Sequence, residues 1–238
     1  MNRDVINLFI GFDSREAIGF YTFIQSFIER SSLPVSIHPV GNVGNRAGSN
    51  DFTFSRFLIP WLCRWEGYAL WMDGADMLVM DDPAELWNER NGKFAVKVVK
   101  RDYQTKHSRK YVGTELECEN SDYPRKNWSS LILWDCASFR NRMLTPEFVK
   151  AADSDFLHGF RWLTDDWIGE LDPRWNRLVA EESASDAKIA HYTLGIPAFP
   201  AYAACELAEE WHAVSRRARF PLGESHGSVE HEQKKVAA

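Results

Sequence analysis

The sequence predicts an α/β domain built around a mostly parallel central sheet. Three observations support this. The runs VINLFIGF (5–12), YALWMD (68–73) and WSSLILWDC (128–136) are apolar and β-branched, as buried strands are. Amphipathic helical spacing fills the intervals between such runs. Aspartates stand where the first and second of these runs end, at Asp13 and Asp73. In an open α/β sheet that edge is where ligands gather.

Each element follows in order. SREAIGFYTFIQSFIERSS, opening on Ser, reads as the first helix, and PVSIHPV (34–40) as the second strand. Residues 41–51, with three glycines and three asparagines, read as a loop. FTFSRFLIPWLCRW predicts a helix broken near Pro60. In ALWMDGADMLVMDD the last two aspartates, Asp81 and Asp82, turn the chain and cap a PAELW helix that has Pro at its first position. KFAVKVVK (93–100) alternates as a strand does, and KIAHYT (188–193) is a short strand. Helices are expected around 145–152, 155–171 and 203–219, which makes the C-terminal part mainly helical. The polar connection from 100 to 127 is long enough for a functional lid.

One domain is expected over residues 1–222, and the polar tail 223–238 reads as disordered. A net charge of −6 argues against a nucleic-acid binder. Ten tryptophans suit a large core and stacking on sugar-like ligands. Four scattered cysteines without metal spacing suit a reducing cytoplasm. No signal peptide or membrane-spanning run is visible. The amphipathic stretch 206–220 ends in an arginine cluster, consistent with weak contact at the inner membrane face.

Carboxylates collected at one sheet edge repel unless a cation lies between them, and hard cations such as Mg²⁺ or Mn²⁺ prefer oxygen ligands. Asp73 and Asp76 follow an apolar strand and are the candidates for such a site. A single histidine is more often structural, but His191 ends a short strand ahead of a Gly-Ile-Pro turn.

Six landmarks in order resemble GT-A fold glycosyltransferases, and among them family 8, which includes bacterial lipopolysaccharide galactosyltransferases and glycogenin. They are IGFDSRE…PVSI, FSRFLIPWL, YALWMDGADMLVMDDPAELW, NWSSLILWD, WLTDDWIGELDPRWN and HYTLGIP. The resemblance implies a retaining transfer of a hexose from a UDP-sugar to a glycan, lipopolysaccharide-type glycolipid or protein acceptor. It also implies Mn²⁺ (or Mg²⁺) bridging the diphosphate, with Asp76, Asp73 and His191 as metal ligands. Phe12, Asp13, Arg56, Asp73, Gly74, Lys126, Ser129, Ser130 and Gly195 would line the nucleotide-sugar site. Asp165, Asp166 and Asn127 would act at the reacting sugar, where a carboxylate stabilises developing positive charge. For Asp165 and Asp166 the alternative is a helix start at Thr164.

The sequence departs from that family twice. Its metal motif is spaced Asp-x-x-Asp, so that Gly74 falls at the first aspartate of DxD and Asp73 one residue early. The lysine and tryptophan expected around Pro197 are Ile196 and Ala198, so other cations must serve the phosphates. Arg56, Lys100, Arg125, Lys126 and the basic cluster from Lys97 to Lys110 are available. Two further readings stay open: a GT-A domain that binds nucleotide-sugars without turnover, and a metal-dependent phosphohydrolase. The latter is disfavoured because GFDSRE and MDGADM lack its Asp-x-Asp pattern. No GxGxxG follows the first strand, which excludes a dinucleotide-binding dehydrogenase.

Overall fold

The computed structural model describes residues 4–41 and 50–218. β1 (Ile6–Gly11) leads through a 3-10 turn into α1 (Ala17–Arg30) and then β2 (Val35–Val40). A second 3-10 turn and α2 (Ile59–Leu62) precede β3 (Tyr68–Met72). Next come β4 (Met77–Val79), α3 (Pro83–Trp87) and β5 (Val96–Val98). The long connection carries a small hairpin, β6 (Arg109–Lys110) with β7 (Cys118–Glu119), before β8 (Leu131–Asp135). The chain continues through α4 (Pro146–Ala151), α5 (Ser154–His158), β9 (Ile168–Glu170), β10 (Arg177–Leu178), β11 (Ile189–His191) and α6 (Ala208–Ala218).

Six strands form the main sheet in the order β2-β1-β3-β8-β5-β9. Every neighbouring pair is parallel except those made by β8, which runs against both β3 and β5. β10, β11 and β4 form a separate three-stranded sheet beside it. The strand period of two sorts the central side chains onto two faces. Leu8, Ile10, Leu70 and Met72 pack with Phe20, Phe23 and Phe27 of α1. Phe9, Ala69, Trp71, Val96 and Trp134 pack on the other face with Phe57, Leu157 and Phe160. A third apolar cluster joins Leu78, Ala190 and Tyr192 to Trp211 and Val214 of α6.

The expected elements hold through PAELW, where the Asp82 carboxylate accepts from the Ala84 amide at 2.9 Å as the cap of α3. Asp81 accepts from the Asp82 amide at 2.8 Å. Two expectations change. The strand expected over 93–100 contracts to Val96–Val98. The helix expected over 155–171 ends at His158, because Phe160 takes φ +52° and reverses the chain. Residues 168–170 then become β9 and pair with the open edge of β5; the demand for a strand partner overrides helical spacing.

The apolar face of α6 is covered. Trp211 and Val214 are buried, and Arg217 pairs with Glu29 of α1 at 2.7 Å. The described part of this amphipathic stretch, to Ala218, is thus a terminal packing helix. No helix among the described residues is long and apolar enough to cross one. The tail expected to be disordered, 223–238, and most of the loop expected at 41–51 lie outside the described residues.

Two positions ahead of the site set testable constraints. Gly19 of α1 lies against the turn that follows β3: a Cβ there would stand 1.9 Å from the Ala75 carbonyl oxygen. Gly19→Ala is expected to cost about 1–3 kcal/mol through overpacking, read as a lower urea midpoint. Glu16, in the turn before α1, is buried. Burial first, then the charges of Asp76, Asp13 and Asp73, push its carboxyl from 4.5 up to about 8. The folded state therefore holds this proton more tightly than the unfolded chain does. Its favourable contribution is complete below about pH 4.5 and is lost as pH rises through about 8. Glu16→Gln should therefore be more stable than the parent at pH 8, with the difference shrinking toward pH 5 in thermal melts. A pH-independent difference would refute this account.

Candidate active site

The turn after β3, the entry to β8 and the end of β11, together with the β6–β7 hairpin and α5, border a cavity of about 410 Å³. Asp73 and Asp76 both line it, which answers the question of their spacing. Residues 73–76 make a tight turn, with the Ala75 amide bonded to the Asp73 carbonyl and the Met77 amide to the Gly74 carbonyl, each at 2.9 Å. Gly74 takes φ +78°, and a Cβ there would meet Ile10 Cγ2 at 2.2 Å. That turn needs glycine. Gly74 itself faces the core, so its place is structural and not in the nucleotide-sugar lining expected for it.

Asp73 is engaged by the protein. Its Oδ1 meets Arg56 Nη1 at 2.8 Å and accepts from the Trp71 indole at 3.2 Å. Burial pushes its carboxyl above the ordinary value against the pull of Arg56, and the charge of Asp76 adds to the rise. Arg56 is itself buried and donates to the carbonyls of Thr53 and Ser129, each at 2.9 Å. Its guanidinium thus clamps the turn to the start of β8.

Asp76 differs. Its Oδ2 lies 3.2 Å from His191 Nε2, and its buried Oδ1 has no partner. Burial pushes this carboxyl up, but His191 outweighs burial and holds it below the ordinary value. Behind His191, Nδ1 contacts Asn176 Oδ1 at 2.8 Å. The Asn176 amide nitrogen donates to Ser130 Oγ at 2.9 Å and to the Asn127 carbonyl at 3.3 Å. A carbonyl only accepts, so the Asn176 oxygen faces His191, and Nδ1 must carry the proton. In a neutral imidazole Nε2 is then a lone pair aimed at a carboxylate. Two acceptors stand 3.2 Å apart, an arrangement that calls for a proton or a cation between them. Among the described residues no group of three or more His, Cys, Asp or Glu side chains forms a metal cage. Asp76 and His191 are the two side chains of this pair that could offer donor atoms to a metal ion.

The other expected site residues divide. Ser129, Ser130 and Asn127 line the cavity. Asn127 takes φ +64° and donates to the Tyr103 hydroxyl at 2.6 Å. Lys126 lies outside it, bonded to Asn120 Oδ1 at 2.8 Å, and lines a smaller neighbouring cavity. Asp13 is buried and occupied: it caps the turn before α1, pairs with Arg15 and accepts from the Asp51 amide at 3.2 Å. Phe12 packs edge-on against Phe20. Gly195 takes φ +150° under the Tyr202 ring. None of these three lines the cavity.

Asp165 and Asp166 are exposed and lie outside the cavity lining, contrary to their expected place beneath a donor sugar. Both belong to the 3-10 turn opened by Thr164, and Asp165 pairs with Arg125. Besides Asp73 and Asp76, two carboxylates line the cavity: Asp122, which pairs with Lys126 at 3.4 Å, and Asp155, in the first turn of α5. Asp155 also borders an adjoining cavity of about 280 Å³ with Tyr123 and Arg125. His158, one turn on, meets Ser129 Oγ at 2.8 Å and lines the main cavity. The acid-rich segment AADSD ahead of an apolar helix was the available signal for Asp155.

No family model matches the chain. In sequence it is 36% identical over 221 residues to Protein CDI of Arabidopsis thaliana, covering 86% of this chain and 83% of that protein. Among solved structures it resembles the WbbM bifunctional glycosyltransferase, with a TM-score of 0.60 and 15% identity over 89% of this chain and 49% of that one. It also resembles the glycosyltransferase GlyE of Streptococcus pneumoniae, with a TM-score of 0.59 and 14% identity over 89% and 60%. The chain thus spans about half to three-fifths of those two proteins. The galactosyltransferase LgtC, solved with donor and acceptor sugar analogues, matches with a TM-score of 0.55 and 13% identity over 91% and 98%. The parallel sheet interrupted by β8, the ligand cavity at its strand ends and these likenesses agree: the chain has the GT-A fold and belongs to the family of Protein CDI.

Proposed function

We propose that this chain is a retaining hexosyltransferase that takes its sugar from a UDP-sugar and delivers it to a glycan, glycolipid or protein acceptor in the cytoplasm. The observation that carries the reading is the buried Asp76 carboxylate, with one oxygen unpartnered and the other 3.2 Å from His191 Nε2. Structural neighbours that are glycosyltransferases support it, LgtC with bound donor and acceptor analogues among them.

Asp76 and His191 fit a Mn²⁺ or Mg²⁺ ion, which when bound would act as a Lewis acid toward the donor diphosphate. The backing of His191 by Asn176 fixes its ring and tautomer, as outer-shell partners of metal-ligating histidines do. Asp73 is not needed as a direct ligand, because Arg56 already neutralises it. Asp155 takes the role expected of Asp165 and Asp166, placing a carboxylate where positive charge develops on the transferred sugar. The adjoining cavity bordered by Tyr123 and Asp155 receives the acceptor.

Incubating the purified protein with a panel of UDP-, GDP- and ADP-sugars and Mn²⁺ should release nucleoside diphosphate, fastest from a UDP-hexose. Thermal stabilisation by nucleotide without release would mark a non-catalytic binder. Hydrolysis of simple phosphate esters would mark a phosphohydrolase. Asp76→Asn is expected to lower turnover about 100-fold or more and to raise the Mn²⁺ concentration required. Asp155→Asn should lower kcat about 10- to 100-fold while nucleotide affinity stays within about threefold. Asp165→Asn and Asp166→Asn should remain within about twofold of the parent; the reverse ranking would return the role to that pair.

A further inference from the structure

The β6–β7 hairpin supplies a cation to the cavity that no family resemblance assigns. Lys110 and Arg56 are the lysine and arginine side chains that line it, and Arg56 is already committed to Asp73. Lys110 has no ion-pair partner among the described residues, and its Nζ stands 5.2 Å from the Tyr111 ring centre. Both it and Asp76 line the same cavity. Adjacent strand residues point to opposite faces. Arg109 accordingly turns outward to Glu117 at 2.6 Å, while Lys110 borders the cavity.

The hairpin is held in this register from both ends. The Tyr111 amide donates to the Leu194 carbonyl at 2.6 Å, and the Val112 amide to the Tyr202 hydroxyl at 3.0 Å. On the other side Thr105 Oγ1 and the Lys106 amide bond Glu181 at 2.6 and 2.9 Å. The loop after β11 offers no cation there, since Ile196 is buried in the cluster with Trp211.

We propose that Lys110 binds the diphosphate of the donor and neutralises the negative charge that the leaving nucleoside diphosphate gains as its bond to the sugar breaks. This rests on the nucleotide-sugar reading of the same cavity. An ammonium placed there interacts more strongly with the departing diphosphate than with the intact donor, so it favours the transition state over the ground state. Its reach toward the phosphates also makes the hairpin part of the donor site.

The test is calorimetric binding, with Mn²⁺ present, of UDP, GDP and ADP, and then of the best ligand's monophosphate and nucleoside. Lys110→Met should weaken the diphosphate about 10- to 100-fold. The monophosphate should change less than about threefold and the nucleoside not at all. Lys110→Arg should restore most of the diphosphate affinity. Lys110→Gln provides a second neutral variant should the Met form fold poorly. Equal binding of the diphosphate by parent and both neutral variants would overturn the role of Lys110 alone. Parallel loss of diphosphate, monophosphate and nucleoside would overturn it in favour of a purely structural hairpin residue. A parent protein that binds none of the three diphosphates would overturn the nucleotide-sugar reading with it.

Discussion

The site depends on a buried relay of polar contacts running from Asp76 through His191 and Asn176 to Ser130 and the Asn127 backbone. It crosses from the β3–β4 turn to β11, then to the turn before β10, and ends at the entry to β8. Buried polar groups without partners are costly, so each member of such a chain holds the next in place. The one member left incomplete is the Asp76 carboxylate at the cavity end. The unpartnered oxygen is thus on the member of the relay that lines the cavity.

The Arg56–Asp73 pair serves a different purpose from the same turn. A buried ion pair contributes uncertain net stability, but removal of either partner strands a charge in the interior. Here the pair fastens the turn to the β8 entry and leaves Asp76 as the carboxylate with coordination capacity to spare. Two aspartates three residues apart therefore divide between structure and chemistry.

Much of the fold was legible because its signals are local. β-branched runs, a Ser-led helix and an Asp-Pro cap each act within a few residues, and the order of landmarks then carried the fold family. The order of landmarks points to Asp76 and His191 as a pair, and the structure brings them to 3.2 Å across the turn before β4 and the end of β11. What could not be read depends on contacts made at long range. Asp165 and Asp166 follow an apolar stretch just as Asp73 does, but a left-handed turn at Phe160 carries them to the surface. Asp13 matched the pattern of a ligand-edge acid, yet its neighbours Arg15 and Asp51 occupy it. Asp155 was not singled out in the sequence, because only the packing of α5 beside the cavity brings it to the site.

The contact of Gly19 with the Ala75 carbonyl has an evolutionary consequence. With no side chain as cushion, the backbone of α1 abuts the backbone of the aspartate turn, and neither can drift without the other. That wall of the cavity has little room to diversify. Side chains of α5 and the hairpin border other parts of the cavity and can change without moving the main chain.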